Sequence, residues 1–504
     1  MAASDSSTAV TSPQMAPNVP LEIKDDEWII SIMAEGGSEW GQIPKVIPQL
    51  RKHEQNKGFY DPQIVSIGPY HHGKPELQEG EKLKSRVAFE FVKDSKREAH
   101  EFYNKILEVV DNARNYYLKG STDTYDQEAF AHMMFLDGCL VLSLLESCEN
   151  KKPFFQIFDH SGFAAFSLLF VDIILLENQL PFLVLQALMS TRFPEYEGEG
   201  LINTYIDNAY MLGGRMSKKG RVREYHKHHK KQPHHLLELV RKRFLSHSLR
   251  KQASSEEGKD DFEEDEEPRL YSFKFLWSKI AKRHTEHNNL YSYLSATELK
   301  AKGIHFKPAS TFYLNDFSFT SLSGYGQLTL PQVVVDSRTK YLFLNMMAYE
   351  LAPHPGTLFE VSTYIYFMNS LINEAADVFE LRSKNIILNF LGTDKDVANV
   401  FHTMTVDAVP NFHIIEHVSD KIQQHYNSKT KTWMAEVLHD HFSSPWAAVA
   451  LFAAIFAIGA TEDSPEMMYC FCSDALISLW VHNIIALHLV SAGEDDDEDE
   501  RGWG

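Results

Sequence analysis

LLENQLPFLVLQAL, Leu175 to Leu188, closes an apolar run that begins at Ala164 and reads as a buried helix. Pro181 falls inside it. A proline in a helix interior removes one backbone donor and crowds the carbonyl four residues earlier, here that of Glu177. The disturbed turn carries Glu177, Asn178 and Gln179, with Asp172 just upstream. Orphaned polar groups in a core cost roughly 1–3 kcal/mol each. The stretch therefore predicts a kinked core helix in which these side chains satisfy the freed backbone groups. A catalytic carboxylate is the competing reading of the same residues.

Outward from this turn the pattern stays helical. Glu79–Leu118 and Gln127–Glu149 have helical periodicity and strong helix formers. Gly138, in FLDGCLVLSLLE, weakens a helix interior by about 1 kcal/mol relative to Ala, which predicts a close helix–helix approach there. Asp137 is a second acid on a buried helix, placed to face Asp172. Further on, Ser295 or Thr297 opens a short helix to Lys302, and Gly303 stops it. Ile304–Val335 alternates instead, so FSFTSL and QLTLPQVVVD predict a hairpin or small sheet. Helices return at Tyr341–Leu351, Leu358–Leu381, Asp394–Phe401 and from Phe412 to about Phe442. The fold class is mainly α, one large helical body from 43 to 442 with a small β excursion.

The 504 residues are 44% hydrophobic and 12% aromatic, as in folded globular proteins. The net charge of −20 lies largely in two acidic runs, Glu256–Glu267 and Glu494–Glu500. A mildly acidic body does not indicate a nucleic-acid surface, and no nucleic-acid partner is expected. Between Gly213 and Lys251 stand thirteen Lys or Arg against two Glu, with His226, His228, His229, His234 and His235 among them. Such segregated charge predicts a mobile insert over 213–268, open to weak metal binding through its histidines. Cys139, Cys148, Cys470 and Cys472 form neither a disulfide framework nor a zinc ribbon. Residues 1–42 read as a mostly disordered segment without a secretory signal.

One segment carries a more specific message. Ile43 to Arg86 is dense in Pro and Gly at its start, and so extended rather than helical. Pro69–Gly73 predicts a rigid aromatic turn, since adjacent histidines such as His71 and His72 seldom ligate one metal. It contains I-P at 43–44, R-K-H at 51–53, Y-D-P at 60–62 and V-S-I-G-P-Y-H-H at 65–72, with Glu81, Lys82 and Lys84 after them. Later come F-L-D-G-C at 135–139, L-E-N-Q-L-P-F at 176–182, A-T-E-L-K-A-K-G-I at 296–304, L-P-Q-V-V-V-D at 330–336, R-T-K-Y-L-F-L-N at 338–345 and S-P-W-A-A at 444–448. In this order the motifs resemble the plant DUF247 family, also called UPF0481, from about residue 43 to 460. The resemblance implies a C-terminal membrane helix starting at the P-W-A motif, and a link to grass self-incompatibility in some members.

Ser443–Thr461 is the longest stretch without a charge, but it is short of the roughly 20 residues needed to cross hydrocarbon. It is followed by a divergent acidic tail, 462–504, in place of the family's leucine-rich continuation. The expectation is a single-pass C-terminal anchor, with the plasma membrane as a candidate site and the large domain cytosolic. No phosphate-binding glycine loop, G-x-S-x-G elbow or H-E-x-x-H is present. No catalytic, cofactor or metal site is assigned. The chain reads as a non-enzymatic, membrane-associated interaction or recognition protein with protein partners. The alternatives are an enzyme using Asp137, Asp172 and Glu177, or a metal-dependent regulator working through the histidine insert.

Overall fold

Buried side chains recur at helical spacing from Leu83 to Ala113, but on two helices rather than one. The computed structural model describes residues 42–150, 162–193, 197–209, 232–245, 295–322, 325–352 and 358–426. In it α1 (Gln78–Ser95) buries Leu83, Val87, Ala88 and Phe91, and α2 (Ala99–Arg114) buries Phe102, Ile106, Val110 and Ala113. Lys96 breaks the run by taking a left-handed conformation, φ 57°, which side-chain-bearing residues adopt only at a penalty. Glu98 and Glu101 then cap α2 reciprocally.

α3 (Gln127–Asn150) packs against both. A Cβ at Gly138 would stand 2.3 Å from Leu188 Cδ1, so the expected close approach is real. α4 (Gly162–Asp172) and α5 (Phe182–Arg192) correct the expectation of one kinked helix. Pro181 is the residue that precedes α5, where its missing N–H costs little. The chain between is a turn held by its own amides. Gln179 Nε2 donates to Ile173 O (2.8 Å) and Leu175 O (2.9 Å), and Asn178 Nδ2 donates to Asp172 O (3.0 Å). These capture carbonyls that the end of α4 leaves open. α6 (Glu197–Ala209) also packs on α3.

α7 (Leu236–Phe244) lies within the expected mobile insert, and here that expectation is corrected. Leu236, Leu237, Leu239, Val240 and Phe244 are buried, as are the charged Arg241 and Arg243. Apolar residues at helical spacing outweigh the block's basic average. His234 pairs with Glu238, and His235 lies edge-on to Tyr349, so neither belongs to a loose metal-binding tract. The rest of the insert, residues 213–231 and 246–268, lies outside the described residues.

The C-terminal half contains α8 (Ala296–Ala301), β1 (Ile304–Pro308), β2 (Ser318–Ser321), β3 (Gly326–Leu330), β4 (Val333–Val335), α9 (Thr339–Glu350), α10 (Glu360–Leu371), α11 (Ala375–Ser383), β5 (Ile387–Asn389), α12 (Asp394–Thr405) and α13 (Phe412–Tyr426). The described residues thus hold thirteen α-helices and five short strands, a mainly helical protein. β2 and β3 neighbour each other in a three-stranded sheet of order β1-β3-β2. β4 leaves the expected hairpin and pairs in parallel with β5, Val333 opposite Ile387. The expected helix Leu358–Leu381 is broken between Ile372 and Glu374. The end of the helix expected to reach Phe442, and the expected anchor at 443–461, lie outside the described residues.

Contacts divide the chain into two units. The larger takes residues up to Thr297, Phe306–Ser318 and Thr329–Ser419. The smaller takes Glu298–His305, Phe319–Leu328 and residues from Asp420 on, and in it His425 lies 2.9 Å from Ser321 Oγ and edge-on to Phe319. In the larger unit α1, α2, α3, α5 and α6 form one helical group, and α9, α10, α11 and α12 another, with α7 against α9.

The glycine at the start of α1 yields a prediction. A Cβ on Gly80 would lie 2.3 Å from Ile64 O and 2.9 Å from Val65 Cα, both backbone atoms. Gly80→Ala is expected to lower stability by about 1–3 kcal/mol through overpacking. An unchanged urea midpoint would show that residues 64–65 move freely away from α1.

Candidate functional site

Residues 42–74 cross the larger unit with little regular structure. They contain short 3-10 turns at Leu50–Lys52 and Lys57–Phe59 and a single bridge from Ile43 to Tyr117. Backbone groups without a ladder must find other partners when buried. Here side chains from the helical core supply them, so the segment is a strap clasped by polar groups.

The first clasp comes from the end of α4, from the turn before α5 and from α3. Asp172 accepts from the backbone N–H groups of Gln63 (2.8 Å), Ile64 (2.8 Å) and Val65 (2.9 Å). Asn178 Oδ1 accepts from Ile67 N (2.6 Å), and its amide donates to Val65 O (3.0 Å). Asp137 Oδ2 accepts from Gly68 N (2.8 Å), and its other oxygen lies 2.6 Å from the buried Lys84 ammonium. Asp137 and Asp172 therefore serve different stretches of the strap rather than each other. Burial pushes the Asp172 carboxyl up to about 7 against its three N–H donors. It raises Asp137 too, despite Lys84.

The second clasp reaches the surface. Glu177 accepts from Val46 N (2.7 Å) and from Arg51 Nη2 (3.0 Å), and His71 Nε2 lies 3.2 Å from it. Arg51 Nη1 also holds Asp61 (3.0 Å), whose other oxygen is 3.6 Å from Lys74 Nζ. Glu177 and His71 are buried, whereas the side chain of Asp61 is 40% exposed. His72 turns away toward Glu81 at 3.6 Å, so the two adjacent histidines serve different acids. Burial alone would raise Glu177, but the His71 hydrogen bond and the Arg51 charge hold it below the ordinary carboxylate range.

The third clasp was not foreseen. Asp407, after α12, takes His53 Nδ1, Asn56 Nδ2 and the Tyr60 hydroxyl (3.2 Å). From α9, Asn345 donates to Phe59 O (2.9 Å) and accepts from Leu176 N (2.8 Å), and Lys340 donates to Gln55 O (2.9 Å). An asparagine inside the apolar run YLFLNMMAY was the sequence signal for a buried polar junction.

R-K-H, Y-D-P, V-S-I-G-P-Y-H-H, F-L-D-G-C, L-E-N-Q-L-P-F and R-T-K-Y-L-F-L-N all meet at these clasps. The family model for DUF247, plant protein of unknown function, matches residues 43–459. The chain belongs to the DUF247 family. The UPF0481 protein At3g47200 of Arabidopsis thaliana is 28% identical over 420 residues, 80% of this chain and 81% of that protein. A second Arabidopsis UPF0481 protein, At3g02645, is 23% identical over 165 residues, 32% of this chain and 31% of its own. No solved structure matches. Among the described residues, no group of three His, Cys, Asp or Glu gathers as metal ligands.

The Glu177 clasp sets a pH dependence for this DUF247 chain. With its folded value depressed, Glu177 contributes stability that is complete above the ordinary carboxylate value of 4.5 and is lost as pH falls through the folded value. Arg51→Met removes part of that depression and is expected to move the acid-unfolding midpoint to higher pH. Circular dichroism across an acid titration checks this; coincident curves would mean that solvent already screens the pair.

Proposed function

We propose that this DUF247 protein is a membrane-associated interaction scaffold rather than a catalyst. The observation that carries the reading is the occupation of its three candidate acids. Asp172 and Asp137 are buried with their oxygens turned to strap N–H groups or to Lys84, and Glu177 holds Arg51 and Val46 N. A general acid or base needs hydrogen-bond reach to a substrate proton. What reaches solvent instead is the Arg51–Asp61–Lys74 edge of the clasp, charges of both signs of the kind found at polar interface rims.

Membrane attachment rests on the uncharged run Ser443–Thr461 and its P-W-A start. α3 is also long and apolar enough to cross a bilayer by length and composition, but most of its apolar stretch is buried in the body. The recognition role extends the family's link to self-incompatibility. Carbonate extraction of plant microsomes, followed by native sizing in mild detergent, tests both parts. The expected result is a carbonate-resistant chain in a complex larger than a monomer, released to the soluble fraction by deleting residues 443–504. A carbonate-soluble chain unaffected by the deletion would remove the membrane part, and a monomer from membranes would remove the interaction part.

A further inference from the structure

We propose that the tip joining β2 and β3 is a second membrane contact, with Leu322 and Tyr325 seated at the lipid–water interface beside the C-terminal run Ser443–Thr461. The inference rests on the membrane attachment proposed above. Leu322 is 39% exposed and Tyr325 40%. Scattered exposed apolar residues are ordinary on a protein surface. These two stand at one tip, where Leu322 N donates to Tyr325 O (2.8 Å). Among the described residues they are the exposed large apolar side chains of the smaller unit.

The tip is fastened close to where the chain departs toward that run. A Cβ added at Gly326 would stand 2.7 Å from the Phe319 ring, so a close fit fixes the base of the tip. Phe319 lies edge-on to His425, which is also 2.9 Å from Ser321 Oγ. His425 is in the last turn of α13, and Ser443 follows Tyr426 by 17 residues, at most about 60 Å of extended chain. A bilayer that holds the run is therefore within that reach of the smaller unit. The two side chains suit such a surface. Tyrosine favours the interface because its ring is apolar while its hydroxyl stays wet, and leucine gains by leaving water. Local charge does not oppose the approach. The whole chain carries −20, but the described part of the smaller unit has Lys300, Lys302 and Lys421 against Glu298 and Asp420.

The test uses the full chain reconstituted from mild detergent into vesicles of phosphatidylcholine and phosphatidylserine. A phospholipid with a photoactivatable diazirine near its headgroup is the probe, and mass spectrometry maps its adducts. Adducts are expected in two segments, Phe319–Leu328 and residues 443–461. Phe89 in α1, 65% exposed, measures chance labelling, and the tip should exceed it by about tenfold, the order expected for an apolar side chain held out of water. Leu322→Ser combined with Tyr325→Ser, both at exposed positions, should lose the tip adducts. That variant should keep the adducts at 443–461 and the wild-type circular dichroism spectrum. Adducts at 443–461 without the tip, tip labelling no higher than at Phe89, or a double variant labelled like the wild type would overturn the inference and leave the membrane reading standing. Adducts in neither segment would overturn both.

Discussion

Arg241→Met is expected to lower the unfolding free energy by about 3–5 kcal/mol, the usual result of stranding buried charge. Arg241 sits in α7 with its side chain almost wholly buried, and it is the cation shared by two buried acids. Its guanidinium donates to Glu350 at 2.7 and 3.1 Å and to Glu360 at 2.5 Å. Glu350 in turn accepts from Val361 N (2.9 Å), Ser362 N (3.0 Å) and the Ser362 hydroxyl (2.9 Å), fixing the first turn of α10. Methionine fills similar volume, so the loss reads charge rather than cavity. Adding Glu350→Gln and Glu360→Gln to Arg241→Met is expected to recover part of the loss, because the stranded charges go with them. Denaturant unfolding monitored by the helical circular dichroism signal decides it. A single variant within 1 kcal/mol of wild type would show, on the scale that separates buried from exposed pairs, that water reaches the triad.

Asp172→Leu comes next, with an expected loss of about 3 kcal/mol or more, from three strap N–H groups each worth roughly 1–3 kcal/mol when orphaned. Leucine is close in shape, so the backbone at Gln63, Ile64 and Val65 bears the change. Asp172→Asn keeps one oxygen acceptor and is expected to fall between the two. The loss should appear first in the strap: hydrogen exchange at residues 63–65 should rise while α2 stays protected. Equal exchange in wild type and variant would mean that water replaces the carboxylate at no penalty.

The helical class, the polar turn at 177–179, the close approach at Gly138 and the family signature were all determined by the sequence alone. Each rests on a local property. Periodicity reports which face of a segment is buried, and a glycine or amide inside an apolar run reports that something special must meet it. What meets it is not local. The donors to Asp172 lie 107 to 109 residues away, and Arg241's acids 109 and 119 residues away. Only the tertiary structure decided that Asp137 and Asp172 serve the strap rather than each other, that Pro181 precedes a new helix, that β4 pairs with β5, and that α7 is buried within a basic block. The physical reason is the same in each case. Burial of apolar area is nearly additive along the chain and can be read in order. A buried hydrogen bond or ion pair is stable only with both partners in place, and its partner is chosen by how distant segments pack.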